Sequence, residues 1–390
     1  MSLDDEVRDE LARLEAAHRL RVPRVVDGLQ GPHTTVDGAL VLNLASNDYL
    51  ALAADRRIAR AAAATLDEAG TGAGASRLIV GNHRAHAAAE DSLADWLRVP
   101  AARLFNSGYA ANVGVLATLL GPDDVVFSDE LNHASIIDGC RLSRAKIVVY
   151  PHLDLAALER ALTEAASSAH VPRRKIVISE SLFSMDGDIA DVSALAALCT
   201  RHGVALILDE AHAVGVWGPE GRGIAAAADV IPDVLVGTCG KALGSFGAFV
   251  ATTRAISDLL WNRARPFVFS TGLPPLVPAA ITAAVEIIRG TEGDQRRRDL
   301  STRARDLRTR IPKLGGAPDS AIAPLLIGDD REVMQITARL LEQRVYVQGI
   351  RPPTVPEGTA RLRVSLSAGH SAQDVETLTG ALSHAARHFT

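Results

Sequence analysis

The chain has 390 residues, 47% of them hydrophobic, enough for a sizeable core and more than one minimal domain. Lys and Arg total 41 against 46 Asp and Glu, a net charge of −5, so there is no basic field to hold nucleic acid. The three cysteines, Cys140, Cys199 and Cys239, are odd in number and lack C-x-x-C spacing, which argues against both a disulfide framework and a zinc site and fits a reducing cytoplasm.

The N-terminal stretch MSLDDEVRDELARLEAAHRLRVPR is charged and reads as a helix, and no segment approaches the ~20 apolar residues that cross a bilayer, so neither a membrane span nor export is expected. From about 100 to 255, β-branched runs alternate with Ala/Leu-rich stretches of helical period: VVFSD at 125, KIVVY at 146, KIVISE at 175, ALILDEA at 205, VLVGTC at 234 and AFVATT at 248. That rhythm predicts an α/β fold with βαβ crossovers and a mostly parallel sheet covered on both faces. After about 290 come a charged helix, APLLIG, a second helix, VYVQGI, RLRVSLSA and a last helix, which read as a smaller α/β domain. The predicted division is 1–45 as an N-terminal helix and arm, 46–288 as the large domain and 289–390 as the small one.

Ligands of open α/β sheets gather at the carboxyl ends of strands, and here those ends are polar. In order they carry Asn106 to Tyr109, Asp129 to His133, Glu180 to Ser184, Asp209 to His212 and Thr238 to Lys241. Asp209 falls where the LILD run leaves the core, a costly place for a carboxylate without a partner. Lys241 lies in VLVGTCGKALGSFGAFV, among glycines 240, 244 and 247, where a partly desolvated amine can form a Schiff base. A lone strand-end Asp is more often a cap, and a lone Lys is usually solvated. The combination, with His212 three residues after Asp209, shifts the balance toward chemistry. DEAH at 209–212 also suggests a helicase, but no G-x-x-x-x-G-K-[ST] loop precedes it, and the glycine run TGAGASRLIVG does not follow a predicted strand as a dinucleotide fingerprint must.

NSGYAAN, LNHAS, SLFSMDGD, LDEAHAVG and GTCGKALGS, in this order, closely resemble the motifs of the fold-type I pyridoxal-phosphate enzymes, and within them the α-oxoamine synthases. The resemblance runs from about residue 40 through 370 and takes in LASNDYLAL, GTGAGASRLIVGNHRAH, RARPFVFSTGLPP and IRPPTVPEGTARLRVSLSA. It implies a cofactor, pyridoxal 5′-phosphate, held by Lys241, which also serves as base at the substrate Cα. Asp209 would pair with the ring nitrogen, His133 would stack on the ring and meet the substrate, and His212 and Ser184 would bond the phenolic oxygen. Gly108, Tyr109 and Thr238 would seat the phosphate, joined by Ser270 and Thr271 from a partner subunit, which implies a homodimer.

For the substrates, the resemblance points to Arg363 with Asn47 and Ser76 at the amino-acid carboxylate, and to Arg21 and Thr354 at the acyl group. Arg361 rivals Arg363, because residues two apart on a strand share a face and spacing cannot separate them. The branch it matches best condenses L-alanine with pimeloyl-CoA or a pimeloyl carrier protein, losing carbon dioxide. Glycine C-acetyltransferase and 5-aminolevulinate synthase share the cofactor motifs and remain alternatives.

Overall fold

The computed structural model describes residues 1–167 and 172–386. Its contacts divide the chain into two compact units, a larger one of Leu52–Ser184 and Ile189–Arg297, and a smaller one of Met1–Ala51, Met185–Asp188 and the chain from Arg298 onward.

The larger unit is built on a seven-stranded sheet in the order Ala101–Phe105, Ala248–Thr252, Val234–Thr238, Ala205–Asp209, Lys175–Glu180, Val125–Asp129, Lys146–Tyr150. All six predicted runs are strands. VVFSD, VLVGT and AFVAT are buried at every position, so these strands are apolar without alternation, as a sheet covered on both faces requires. Ala248–Thr252 alone runs antiparallel to its neighbours. The loop 239–247 that leads into it is shorter than the dozen or so residues a parallel crossover needs, so the chain turns straight back. The seventh strand, Ala101–Phe105 (AARLF), has no β-branched residue and is not legible as a run. It lies at the sheet edge, where the Glu90 carboxylate accepts from Arg103 at 2.9 Å and from the Leu104 amide at 2.9 Å.

Two helices on this sheet, Gly108–Leu119 and Ala134–Ser143, pack closely because Gly139 offers no side chain at their crossing. A Cβ there would stand 2.8 Å from Leu116 Cδ1 and 3.1 Å from the Asn112 carbonyl.

The smaller unit holds a three-stranded antiparallel sheet (Ile322–Gly328, Ala360–Ser365, Gln348–Ile350) and a four-stranded one (Val26–Asp27, His33–Val36, Ala39–Asn43, Val345–Tyr346). The single predicted run VYVQGI is thus two strands in two sheets. Val345–Tyr346 pairs in parallel with Leu42–Asn43, and Gln348–Ile350 pairs antiparallel with Arg361–Arg363. Where the sequence reading separates residues 1–45 from 289–390, the contacts join them, because Ala39–Asn43 finds its outer partner at Val345–Tyr346 and the Asn43 carbonyl meets His370 Nε2 at 3.1 Å. The N-terminal helix is shorter than predicted, Leu3–Ala16, closed at its start by a Ser2–Asp5 capping box and followed by His18 at φ +56°.

Candidate functional site

Asp209 ends its strand with a buried carboxylate. Its Oδ1 accepts the Ala211 amide at 2.8 Å and its Oδ2 accepts Asn112 Nδ2 at 2.7 Å, bonds that offset its desolvation. Asn112 comes from the first helix after the edge strand and also donates to Ser135 Oγ at 2.9 Å. His133 caps the helix Ala134–Ser143 with its ring, and its own amide donates to Glu180 Oε1 at 2.7 Å.

His133 is exposed. Desolvation nonetheless lowers its pKa, the Asp209 charge opposes that shift, and Lys241 adds to it. His133, Asp209 and Lys241 therefore lie within electrostatic reach of one another. Glu180 reports the same grouping, since burial and the Asp209 charge raise its pKa to about 8 while Lys241 lowers it.

Lys241 sits in the tight loop after Val234–Thr238, which is held by Cys239 N–H to the Gly247 carbonyl at 2.9 Å and Gly244 N–H to the Lys241 carbonyl at 2.8 Å. Only glycine fits at 244, where φ is +59° and a Cβ would stand 2.4 Å from the Ala53 nitrogen. Thr238 is buried, its hydroxyl donating to the Gly247 carbonyl at 3.1 Å and accepting from Gly240 N–H at 3.3 Å. His212 and Ser184 are buried as well, and the Ser184 amide donates to Glu180.

At the start of the helix Gly108–Leu119, Ser107 caps the Ala110 amide, and the amides of Gly108 and Tyr109 stand at its positive end, where an anion is favoured. The Tyr109 hydroxyl donates to Asp138 at 2.5 Å. Thr271 adjoins this turn, its carbonyl accepting from Asn106 Nδ2 at 2.9 Å, and it bridges to Ser76. A buried carboxylate, an amine, an imidazole and an anion seat together fit a ring with a basic nitrogen, an aldehyde and a phosphate.

In the smaller unit the two rival arginines differ in their partners. Arg361 forms an ion pair with Asp186 and donates to the Thr359 carbonyl at 3.0 Å. Arg363 donates to Ser365 Oγ at 2.6 Å and to Asn47 Oδ1 at 3.2 Å. Arg363 and Asn47 are thereby brought together. So are Arg21 and Thr354, bonded at 3.2 Å beside a cleft of about 470 Å³ also lined by Met334, Tyr346 and Arg351.

Asn112 and Ser135 fall within the NSGYAAN and LNHAS motifs and Glu180 and Glu210 at the polar strand ends, but the sequence assigns none of them a role in this arrangement. Asn112 carries a usable signal, a lone amide within the otherwise apolar helix GYAANVGVLATL. Glu210 is fully buried, its pKa raised to about 7 by desolvation, with Oε1 accepting the Ala225 amide at 2.7 Å.

Residues 39–382 match the family described as aminotransferase class I and II. The 8-amino-7-oxononanoate synthase of Geobacter sulfurreducens (strain ATCC 51573 / DSM 12127 / PCA) is 46% identical over 381 residues, covering 96% of each chain. That of Anaeromyxobacter dehalogenans (strain 2CP-1 / ATCC BAA-258) is 47% identical over 383 residues, covering 97% of this chain and 94% of its own. Among solved structures, a serine palmitoyltransferase from S. paucimobilis bound to a pyridoxal-phosphate–myriocin adduct superposes with a TM-score of 0.92 at 30% identity, over 99% of this chain and 98% of its own. An 8-amino-7-oxononanoate synthase from Francisella tularensis gives a TM-score of 0.75 at 27% identity, over 89% and 98%.

Proposed function

Because the chain belongs to the class I and II aminotransferase family, and within it to the 8-amino-7-oxononanoate synthases, pyridoxal-phosphate-dependent acyltransferases, we propose that it condenses L-alanine with a pimeloyl thioester. In that reaction alanine loses its Cα proton, a bond forms from Cα to the acyl carbon, and the thiol leaves. The carboxylate then departs as carbon dioxide and a proton returns to carbon. The observation that carries the reading is the convergence of Lys241, Asp209 and His133 at the strand ends.

Pyridoxal phosphate, bound there, supplies an electron sink for charge developing at Cα. Asp209 keeps a proton on the ring nitrogen, its two hydrogen-bonded oxygens already oriented by Ala211 and Asn112. Lys241 anchors the cofactor and moves the proton at Cα. His133 covers the ring face and meets the substrate, while His212 and Ser184 hold the phenolic oxygen. Gly108 and Tyr109 seat the phosphate with their amides, and Thr238 joins them by turning its hydroxyl from the Gly247 carbonyl.

Arg363, the arginine of the matched RLRVSL motif, takes the amino-acid carboxylate with Asn47, to which it is bonded at 3.2 Å, and Ser76 is a further substrate contact. Arg21 and Thr354 bind the acyl substrate. Ser270 and Thr271 of a second copy complete the phosphate seat. A homodimer is supported by Ile79, Val80 and Phe269, each more than 70% exposed, on two segments joined by the Ser76–Thr271 bridge and the Gly272–Ala75 hydrogen bond. The cysteines are free and buried, which suits a cytoplasmic enzyme, and among the described residues no helix is long and apolar enough to cross a membrane.

A substrate panel scoring thiol release tests the reading. L-Alanine with pimeloyl-CoA should be the fastest pair, ahead of glycine with acetyl-CoA and L-serine with palmitoyl-CoA. Glycine should retain partial activity with pimeloyl-CoA, since one methyl group discriminates by only about 1–3 kcal/mol. Arg21→Ala should raise the KM for pimeloyl-CoA more than that for alanine. A faster rate with glycine and acetyl-CoA would replace the acyl assignment.

A further inference from the structure

His133 occupies a helix N-cap, and that position dictates which ring nitrogen carries hydrogen. An N-cap side chain must accept from the first turn, and here the Ser135 amide donates to His133 Nδ1 at 3.2 Å. A backbone amide only donates, so Nδ1 presents a lone pair. Ser135 Oγ lies 2.8 Å from the same nitrogen. Because Nδ1 presents that lone pair, Ser135 Oγ gives its single hydrogen to Nδ1 and uses a lone pair to accept from Asn112 Nδ2 at 2.9 Å.

Asn112 is itself held in one orientation. Its two amide hydrogens go to Ser135 Oγ and Asp209 Oδ2, and the flipped amide would set its oxygen against the Asp209 carboxylate. Among the described residues Asn112 Oδ1 has no hydrogen-bond partner, while both Nδ2 hydrogens are used. The positive end of the helix also disfavours an imidazolium at its cap.

We propose that Asn112 and Ser135 are positioning residues that hold His133 as the neutral Nε2–H tautomer, so that the ring offers a hydrogen-bond donor, and not a base, to whatever lies against it. A donor there serves an acceptor oxygen, a carboxylate or a carbonyl gaining negative charge. The tautomer stands independently of the proposed reaction; only the assignment of that oxygen to the substrate rests on it.

The test is long-range proton–nitrogen NMR on cofactor-loaded protein labelled with ¹⁵N-histidine, the His133 signals being assigned by their loss in His133→Asn. Wild type should show an unprotonated Nδ1 and a protonated Nε2, unchanged between about pH 6 and about pH 8, the range in which a free imidazole titrates. Ser135→Ala and Asn112→Ala should each convert this single state to a mixture of tautomers. Should Ser135→Ala fail to fold, Asn112→Ala reads the same relay, and the wild-type spectrum decides the tautomer without any variant. A protonated Nδ1 in wild type, or an Nε2–H state unmoved in both variants, overturns the proposal. Either outcome is separate from the substrate panel, which reports on the reaction alone.

Discussion

Glu180 and Asp209 are register partners at the ends of adjacent parallel strands, and both side chains are buried. Burial first, and then the Asp209 charge, raise the Glu180 pKa from 4.5 to about 8, while the His133 and Ser184 amides and Lys241 pull it down. The folded value lies above the free one, so the resulting stability is complete below the unfolded pKa and is lost as pH rises through about 8. Cofactor-free wild type should therefore lose urea stability relative to Glu180→Gln as pH is raised from about 5 to about 8, since glutamine keeps an acceptor for the His133 amide and does not ionise. A difference that stays flat over this range would show that Glu180 is not held neutral.

In the proposed reading Asp209→Asn removes the charge that would keep the ring nitrogen protonated. Turnover should fall about 100-fold, the worth of a strong charge-assisted hydrogen bond, while the visible absorption of the lysine-bound cofactor persists. Lys241→Ala should abolish both. Near-normal turnover in Asp209→Asn would remove it from the proposed role.

The proposed roles of the two arginines predict two different phenotypes. Arg363→Ala should raise the KM for alanine by about 10- to 100-fold, from the loss of about 1.5–3 kcal/mol of charge-assisted bonding to a carboxylate. Arg361→Ala breaks the pair with Asp186 and should instead cost about 2 kcal/mol of stability, read as a lower urea midpoint with the alanine KM little changed. Exchange of these two outcomes would exchange the roles.

If a second copy covers Ile79, Val80 and Phe269, charges placed there should split the assembly. The double variant Ile79→Asp, Phe269→Asp should run as a monomer by light scattering and lose activity through loss of the second copy's Ser270 and Thr271. Full activity from a monomeric wild type would contradict the shared phosphate seat.

The central strands are legible in the sequence because burial on both faces demands unbroken β-branched runs, and Asp209 and Lys241 stand out because each follows such a run. Ala101–Phe105 is marked in the sequence only by the polar end Asn106–Tyr109, since AARLF lacks β-branched residues; the strand is defined by its ladder to Ala248–Thr252 and by Glu90 on the Leu104 amide. Division of VYVQGI between two sheets depends on Leu42–Asn43, three hundred residues earlier, which no local pattern reports. Distance in sequence also hides the difference between Arg361 and Arg363, because Asp186 belongs to a loop of four residues that joins the smaller unit. Ser135 belongs to the LNHAS motif, but its role arises from contact with Asn112 on another helix, which no local pattern reports.

The parallel pairing of Leu42–Asn43 with Val345–Tyr346 has a consequence for how the chain is made. Residues 33–43 leave the ribosome as a two-stranded hairpin, which is marginal by itself in water. Their outer partner is synthesised three hundred residues later, after every strand of the seven-stranded sheet. A hairpin made well before the large sheet thus completes its native pairing only after that sheet's strands exist. For most of synthesis its edge at Leu42–Asn43 lacks the strand that finally pairs with it, and so this hairpin is open to misassociation until Val345–Tyr346 is made.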